Sequence, residues 1–192
     1  MTYKKIPYPF GIQILQRFPA SDEAKALVIE DQPTEASIQA LIDGKLYYDL
    51  TQFVAHAMPV REAIWWAAIT LEQRNDVWSN AQRQCIDTAK QWVKAPSEEL
   101  RRKSELFANR LGLNCGPSWL AQAVFWNGAG SIVAPDLPTV LPDPFLYAKA
   151  VSGAINHSAA LPEWDQSQHY YQQAFNKGLA IARGENGEES SS

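Results

Sequence analysis

MPVREAIWWAAITL, residues 58–71, is the stretch on which the fold turns. Pro59 can occupy the first turn of a helix, where its missing N–H costs nothing. From Val60 to about Asn75 the chain then carries its densest apolar run, AIWWAAITL. Trp65 and Trp66 are adjacent, about 100° apart around a helix, so both cannot face the same core spot. One of them enters the core with Ile69. The other packs a neighbouring helix, inserts under the proline-rich segment 128–144 or stays as a surface anchor.

Regular punctuation brackets this helix on both sides. Upstream, Thr34 is a good N-cap and Gly44 a good stop, with Ile38, Leu41 and Ile42 on one face between them. Residues 46–57 place Leu46, Leu50, Phe53, Val54 and Ala57 at three-and-four spacing. Downstream, Ser79 starts a helix running to Val93, and Pro96 and Ser97 punctuate it. Ser97 caps the next, with Glu98 and Glu99 in its first turn and Gly112 at its end. Residues 117–127, PSWLAQAVFWN, are opened by Pro117 and stopped by Gly128. Residues 145–160 read as helix, and Pro162 is expected to open a last long one that ends at Gly184.

Between these helices lies GAGSIVAPDLPTVLPDP, residues 128–144. Its prolines 135, 138, 142 and 144 oppose both a helix and a central strand. It is too apolar for a loose linker. The expectation is an ordered strap, with Ile132, Val133, Leu137, Val140 and Leu141 anchoring it along a helical surface. No alternating strand pattern and no repeat occurs. The sequence therefore predicts an all-α fold, a single bundle-like domain of about seven or eight short helices over residues 34–184. An irregular arm, 1–33, precedes it; its aromatics Tyr3, Tyr8, Phe10 and Phe18 suggest packing on the domain, and 21–29 reads as a short helix or an extended piece. A flexible acidic tail, 185–192, follows.

Composition bounds the function. The chain has 192 residues, of which 46% are hydrophobic, and 17 Lys+Arg against 21 Asp+Glu give a formal net charge of −4. Such a balance opposes a general electrostatic grip on nucleic acid or an anionic membrane. No apolar run approaches the roughly 18 residues a membrane span needs, and Pro7, Pro9 and Gly11 break up the N-terminal apolar stretch, so no signal peptide is expected. The two cysteines, Cys85 and Cys115, are expected as free thiols in a reducing, cytoplasmic setting.

Chemistry-bearing motifs are sparse. His56, His157 and His169 have no metal-ligand spacing, and no Gly-x-Ser-x-Gly elbow occurs. No cofactor or metal is expected. Cys115 precedes a helix N-terminus, where a thiolate would be favoured, but no histidine is near in sequence and a structural role is expected. Glu98–Arg102 and Glu99–Lys103 are i,i+4 pairs in the favourable order, which read as a solvated, modestly stabilised face. A carboxylate pair from Glu62 with Glu72 or Glu105 would need the fold to assemble it.

The excess that stands out is aromatic: seven tryptophans, at 65, 66, 78, 92, 119, 126 and 164. They build either an aromatic core or an exposed partner-binding groove, since Trp and Tyr dominate interface hot spots. The residues singled out for partner contact or strap anchoring are Arg61, Glu62, Trp65, Trp66, Trp119, Phe125 and Trp126.

MPVREAIWWA at 58–67, WVKAPSEELRRK at 92–103, WLAQAVFWNGAGS at 119–131 and PDPFLYAKAVSGA at 142–154 carry a resemblance over roughly residues 40–184. Together with the closing FNKGLAIARG they resemble an uncharacterised family of small bacterial all-helical proteins with a Pro-x-Arg-Glu-Ala-x-Trp-Trp-Ala motif and members near type VI secretion genes. The resemblance implies a bacterial cytoplasmic accessory protein and no chemistry. The expected function is thus a non-catalytic protein–protein interaction or adaptor module with a protein partner, no nucleic acid and no membrane. The alternatives are an enzyme in which Arg61, Glu62, Cys115 and a histidine converge, or an immunity-like inhibitor.

Overall fold

The fold is seen in a computed structural model that describes residues 3–188. Among them are ten α-helices and no strand; the one β-like contact is an isolated bridge between Phe10 and Pro33. Two short helices lie in the arm, α1 (Ile12–Leu15) and α2 (Asp22–Leu27). The remainder are α3 (Thr34–Asp43), α4 (Tyr47–Ala57), α5 (Val60–Glu72), α6 (Asn80–Lys94), α7 (Glu98–Leu111), α8 (Gly116–Phe125), α9 (Leu146–Ser158) and α10 (Ser167–Arg183). The all-α expectation is met.

Local chemistry accounts for several helix ends, although Pro33 and not Thr34 is the N-cap of α3. Pro59 sits at the N-cap of α5, one position before its first helical residue. Ser79 and Gln82 form a reciprocal capping box at α6. The Ser97 hydroxyl accepts from the Leu100 amide to start α7. The last helix begins later than expected. Pro162 does not open it; a 3₁₀ turn, Trp164–Gln166, intervenes before Ser167. At the far end Gly184, with φ 99°, stops α10.

α5 is the axis of the bundle, packed by α6, α8, α9 and α10. Trp66 is the tryptophan that enters the core, fully buried, while Trp65 is only half-buried. The Trp66 indole Nε1 donates to the Ala174 carbonyl of α10 at 2.7 Å, so its one polar atom is satisfied. It reaches that carbonyl because residue 178, one turn on, is glycine. A Cβ there would stand 2.7 Å from the indole ring.

The arm shares the core. Ile6, Ile14, Leu15, Phe18, Ala24 and Val28 are buried, whereas Phe10 is exposed. The Ser21 amide and hydroxyl both donate to the buried Asp49 carboxylate, each at 2.9 Å, tying α2 to α4. The Lys5 amide donates to the Ala182 carbonyl at 2.9 Å, so the start of the arm lies along the end of α10.

His56 belongs to this core and not to a site. It is fully buried on α4, 5.1 Å from the Phe18 ring centre and 6.0 Å from that of Phe145. Its Nδ1 donates to the Gln52 carbonyl at 2.7 Å, and Nε2 has no partner among the described residues. Burial pushes its pKa down to about 4, with lesser contributions from the Lys149 and Arg17 charges. The folded state therefore holds a neutral imidazole, while the unfolded chain protonates near pH 6.5.

Replacing Gly178 by Ala should remove about 1–3 kcal/mol of stability through overpacking. Thermal melts should show a midpoint lower by roughly 3–10 °C. His56 sets a pH signature. Its contribution is complete above pH 6.5 and is lost as pH falls towards 4, by roughly 3 kcal/mol in the limit. Urea unfolding of the wild type and His56→Gln at several pH values should show a steeper loss for the wild type in that window. Parallel curves would remove His56 from the explanation.

Candidate functional site

Two features stand apart from the core: the strap and a cleft beside the first turn of α5. Residues 128–144 contain no helix and no strand. The strap closes on itself where the Ile132 amide donates to the Val140 carbonyl at 2.8 Å. The Ser131 hydroxyl accepts from the amides of Val133 and Val140.

Its apolar side chains do not hold it down. Leu137, Val140 and Leu141 are 54%, 47% and 58% exposed, against the expectation that they anchor it; Ile132 and Val133 are half-buried. Two arginines of α7 hold the backbone instead. Arg101, 1% exposed, donates from Nη1 to the Phe125 carbonyl at 3.0 Å and from Nη2 to the Ser131 carbonyl at 2.9 Å. Arg102 donates from Nη2 to the Val133 carbonyl at 3.0 Å.

Both guanidiniums lie over the buried Phe125 ring, at 4.9 and 5.6 Å. Glu98 bridges them, at 2.6 Å from Arg101 Nε and 3.0 Å from Arg102 Nε. Hydrogen bonds from Arg101, and then Arg102, hold the Glu98 carboxyl below its usual range against the opposing effect of burial. Gly130 is the close-approach residue, since a Cβ there would stand 2.8 Å from the Arg101 guanidinium.

The sequence had presented this face as solvated ion pairs. The Glu98–Arg102 pair forms as expected, at 3.0 Å, but the rest of that expectation is corrected. Arg101 is a buried clamp, and Lys103 lies 5.8 Å over Phe107 in place of the expected pair with Glu99. No spacing signal distinguishes a buried arginine from its exposed neighbour, so Arg101 was not legible.

The motif residues lie elsewhere. Arg61 and Glu62 do not reach the strap. Arg61 donates from both Nε (3.1 Å) and Nη2 to the Val93 carbonyl in the last turn of α6. Glu62 pairs with Lys5 at 2.9 Å. The Trp65 indole donates to the Asn186 carbonyl at 2.7 Å. These three residues line one open cleft of about 550 Å³, together with Lys94, Ile181 and Asn186.

Of the other residues singled out, Trp66 is core and Phe125 is at the foot of the strap. Trp119, half-buried, lies against Gly153 of α9, and Trp126 is half-buried at the end of α8. Residues 185–188 of the acidic end lie beside the cleft; Gly187 is buried near Ile181 and Ile69. The rest of that segment falls outside the described residues.

The proposed catalytic convergence is not assembled. Cys115 is buried at the N-cap of α8, with Sγ 3.4 Å from the Ser118 hydroxyl, and lines no wall of the cleft. His157 and His169 are exposed on α9 and α10. Glu62, Glu72 and Glu105 pair with Lys5, Lys90 and Arg102 respectively, and only Glu62 of the three lines the cleft. Both cysteines are free, and burial pushes the Cys85 thiol up to about 12. Among the described residues no group of three or more His, Cys, Asp or Glu could hold a metal. No described helix is long and apolar enough to cross a membrane.

Arg101→Ala should uncap two carbonyls and free the strap. A loss of about 2–3 kcal/mol is expected, because hydrogen bonds to a charged group are involved. Limited proteolysis should cut between residues 132 and 141 faster than in the wild type. Arg101→Lys, which cannot reproduce the planar fork, should fall between the two. Wild-type cleavage rates in both variants would show that the clamp does not order the strap.

No curated protein and no solved structure matches the chain. A family pattern does match, over residues 37–182, which takes in α5, the clamp and the whole strap. The chain belongs to the family of unknown function DUF6931.

Proposed function

We propose that this protein is a non-catalytic interaction module, an adaptor, whose strap presents the partner-binding surface. The observation that carries this reading is the exposure of Leu137, Val140 and Leu141 on a segment fixed at its base by Arg101 and Arg102. Exposed apolar groups on an ordered frame support recognition, because the frame reduces the ordering cost of association. The prolines limit the strap's alternative conformations in the same direction.

The setting we propose is the bacterial cytoplasm, in association with type VI secretion. An enzyme built on Arg61, Glu62, Cys115 and a histidine finds no support, since neither Cys115 nor any histidine lines the cleft that holds Arg61 and Glu62.

A photo-crosslinking amino acid placed at Leu137 or Leu141, in the bacterial host, should give a discrete adduct absent from a control at the exposed Tyr48. The purified adduct partner should bind the wild type and lose at least about tenfold affinity for Leu141→Asp, roughly 1.4 kcal/mol. No strap-specific adduct, or unchanged affinity, would overturn the adaptor reading. A partner unrelated to the secretion apparatus would remove that association and leave the adaptor role standing.

A further inference from the structure

The cleft beside α5 carries a charge out of step with the chain. The whole chain is −4, yet six cations stand on or beside this cleft: Lys4, Lys5, Arg61, Lys90, Lys94 and Arg183. Three of them are matched by carboxylates, in Lys5–Glu62 (2.9 Å), Lys90–Glu72 (2.7 Å) and Arg183–Glu185 (2.9 Å). Glu188 lines a neighbouring, smaller pocket with Lys177. Lys4, Arg61 and Lys94 have no carboxylate partner among the described residues.

Part of this positive charge answers the C-terminal ends of two helices. Arg61 bonds a last-turn carbonyl of α6, and Lys94 and Arg183 lie in the last turns of α6 and α10. That role fixes Arg61 without saturating it. Nε and Nη2 are held by Val93, and Nη1 makes no hydrogen bond among the described residues. Lys94 is exposed beside it. The apolar lining is the Trp65 indole, one turn on from Arg61 along α5 and bonded to the Asn186 carbonyl, with the largely buried Ile181 behind it. A volume of about 550 Å³ is in the range of small-ligand sites.

We propose that this cleft binds an apolar carboxylate. The carboxylate oxygens meet Arg61 Nη1 and the Lys94 ammonium, and the apolar group lies on Trp65 and Ile181. Charge-assisted hydrogen bonds to a planar guanidinium suit a carboxylate, and the fixed indole gives the adjoining group a preformed face. The same chemistry is offered by a free aromatic acid and by the carboxyl-terminal residue of a peptide. The site is separate from the strap, so it does not depend on the adaptor reading.

The test follows the tryptophan indole N–H signals in ¹H–¹⁵N spectra of the full chain, with the Trp65 signal assigned from Trp65→Phe. Three probes are titrated: 3-phenylpropionate, acetyl-Gly-Gly-Phe with a free carboxyl terminus, and the same peptide amidated. The Trp65 signal should shift saturably with the two acids, at a Kd of about 1 mM or tighter, and not with the amide.

Tighter binding of the peptide identifies a chain terminus as the source; equal or tighter binding of the small acid identifies a free acid. Either result supports the site. Arg61→Gln and Lys94→Gln should each weaken binding at least about tenfold, roughly 1.4 kcal/mol, with the other indole signals in place. Leu141→Asp should bind as the wild type does. No saturable shift, an equal shift with the amide, or undiminished affinity in both cation variants would overturn the proposal.

Discussion

The contact between Trp66 and Gly178 is the constraint from which the arrangement follows. A helix as apolar as α5 cannot face water on any broad side, so it must be enclosed. The indole of Trp66 is the largest group to be enclosed, and it carries a donor that is costly to bury unpaired. The Ala174 carbonyl satisfies it only if α10 comes close enough, and the missing side chain at 178 allows that approach. With α10 placed on one side, α6, α8 and α9 complete the enclosure. Trp65, one residue earlier, then has to emerge at the edge, where it forms a wall of the cleft.

The strap obeys a different logic. A chain with four prolines in seventeen residues cannot lay down a periodic apolar face. It offers carbonyl groups at irregular intervals, and a guanidinium can collect several of them. Arg101 gathers two carbonyls and the Glu98 carboxylate, stacked over Phe125. Burying such a cation is tolerable only because its donors are engaged. The division of labour leaves Leu137, Val140 and Leu141 outside while the strap's backbone is held.

Much of the helical pattern was legible in the sequence. Helix propensity, capping residues and three-and-four spacing are local, and they placed α3 to α9 within a few residues of their ends. Pro162 misled because proline favours a helix start without specifying one, and a 3₁₀ turn took the position. The arm's helices are too short for periodicity to reveal; α1 has four residues. Site residues were legible in part. The motif drew attention to Arg61, Glu62 and Trp65, which do line one cleft, but their neighbours Lys5, Lys94 and Asn186 come from three distant segments. Whether an arginine is buried depends on what the rest of the chain lays over it, which is why Arg101 and Arg102 look alike in sequence.

The bond from the Lys5 amide to the Ala182 carbonyl has a practical side. With Lys5 paired to Glu62 and Asn186 bonded to Trp65, the first and last described segments meet at the start of α5. Lys5 and Asn186, far apart in sequence, therefore share the lining of a single cleft. A bulky label attached at either of those two residues crowds that opening, whereas an insertion in the strap leaves it clear.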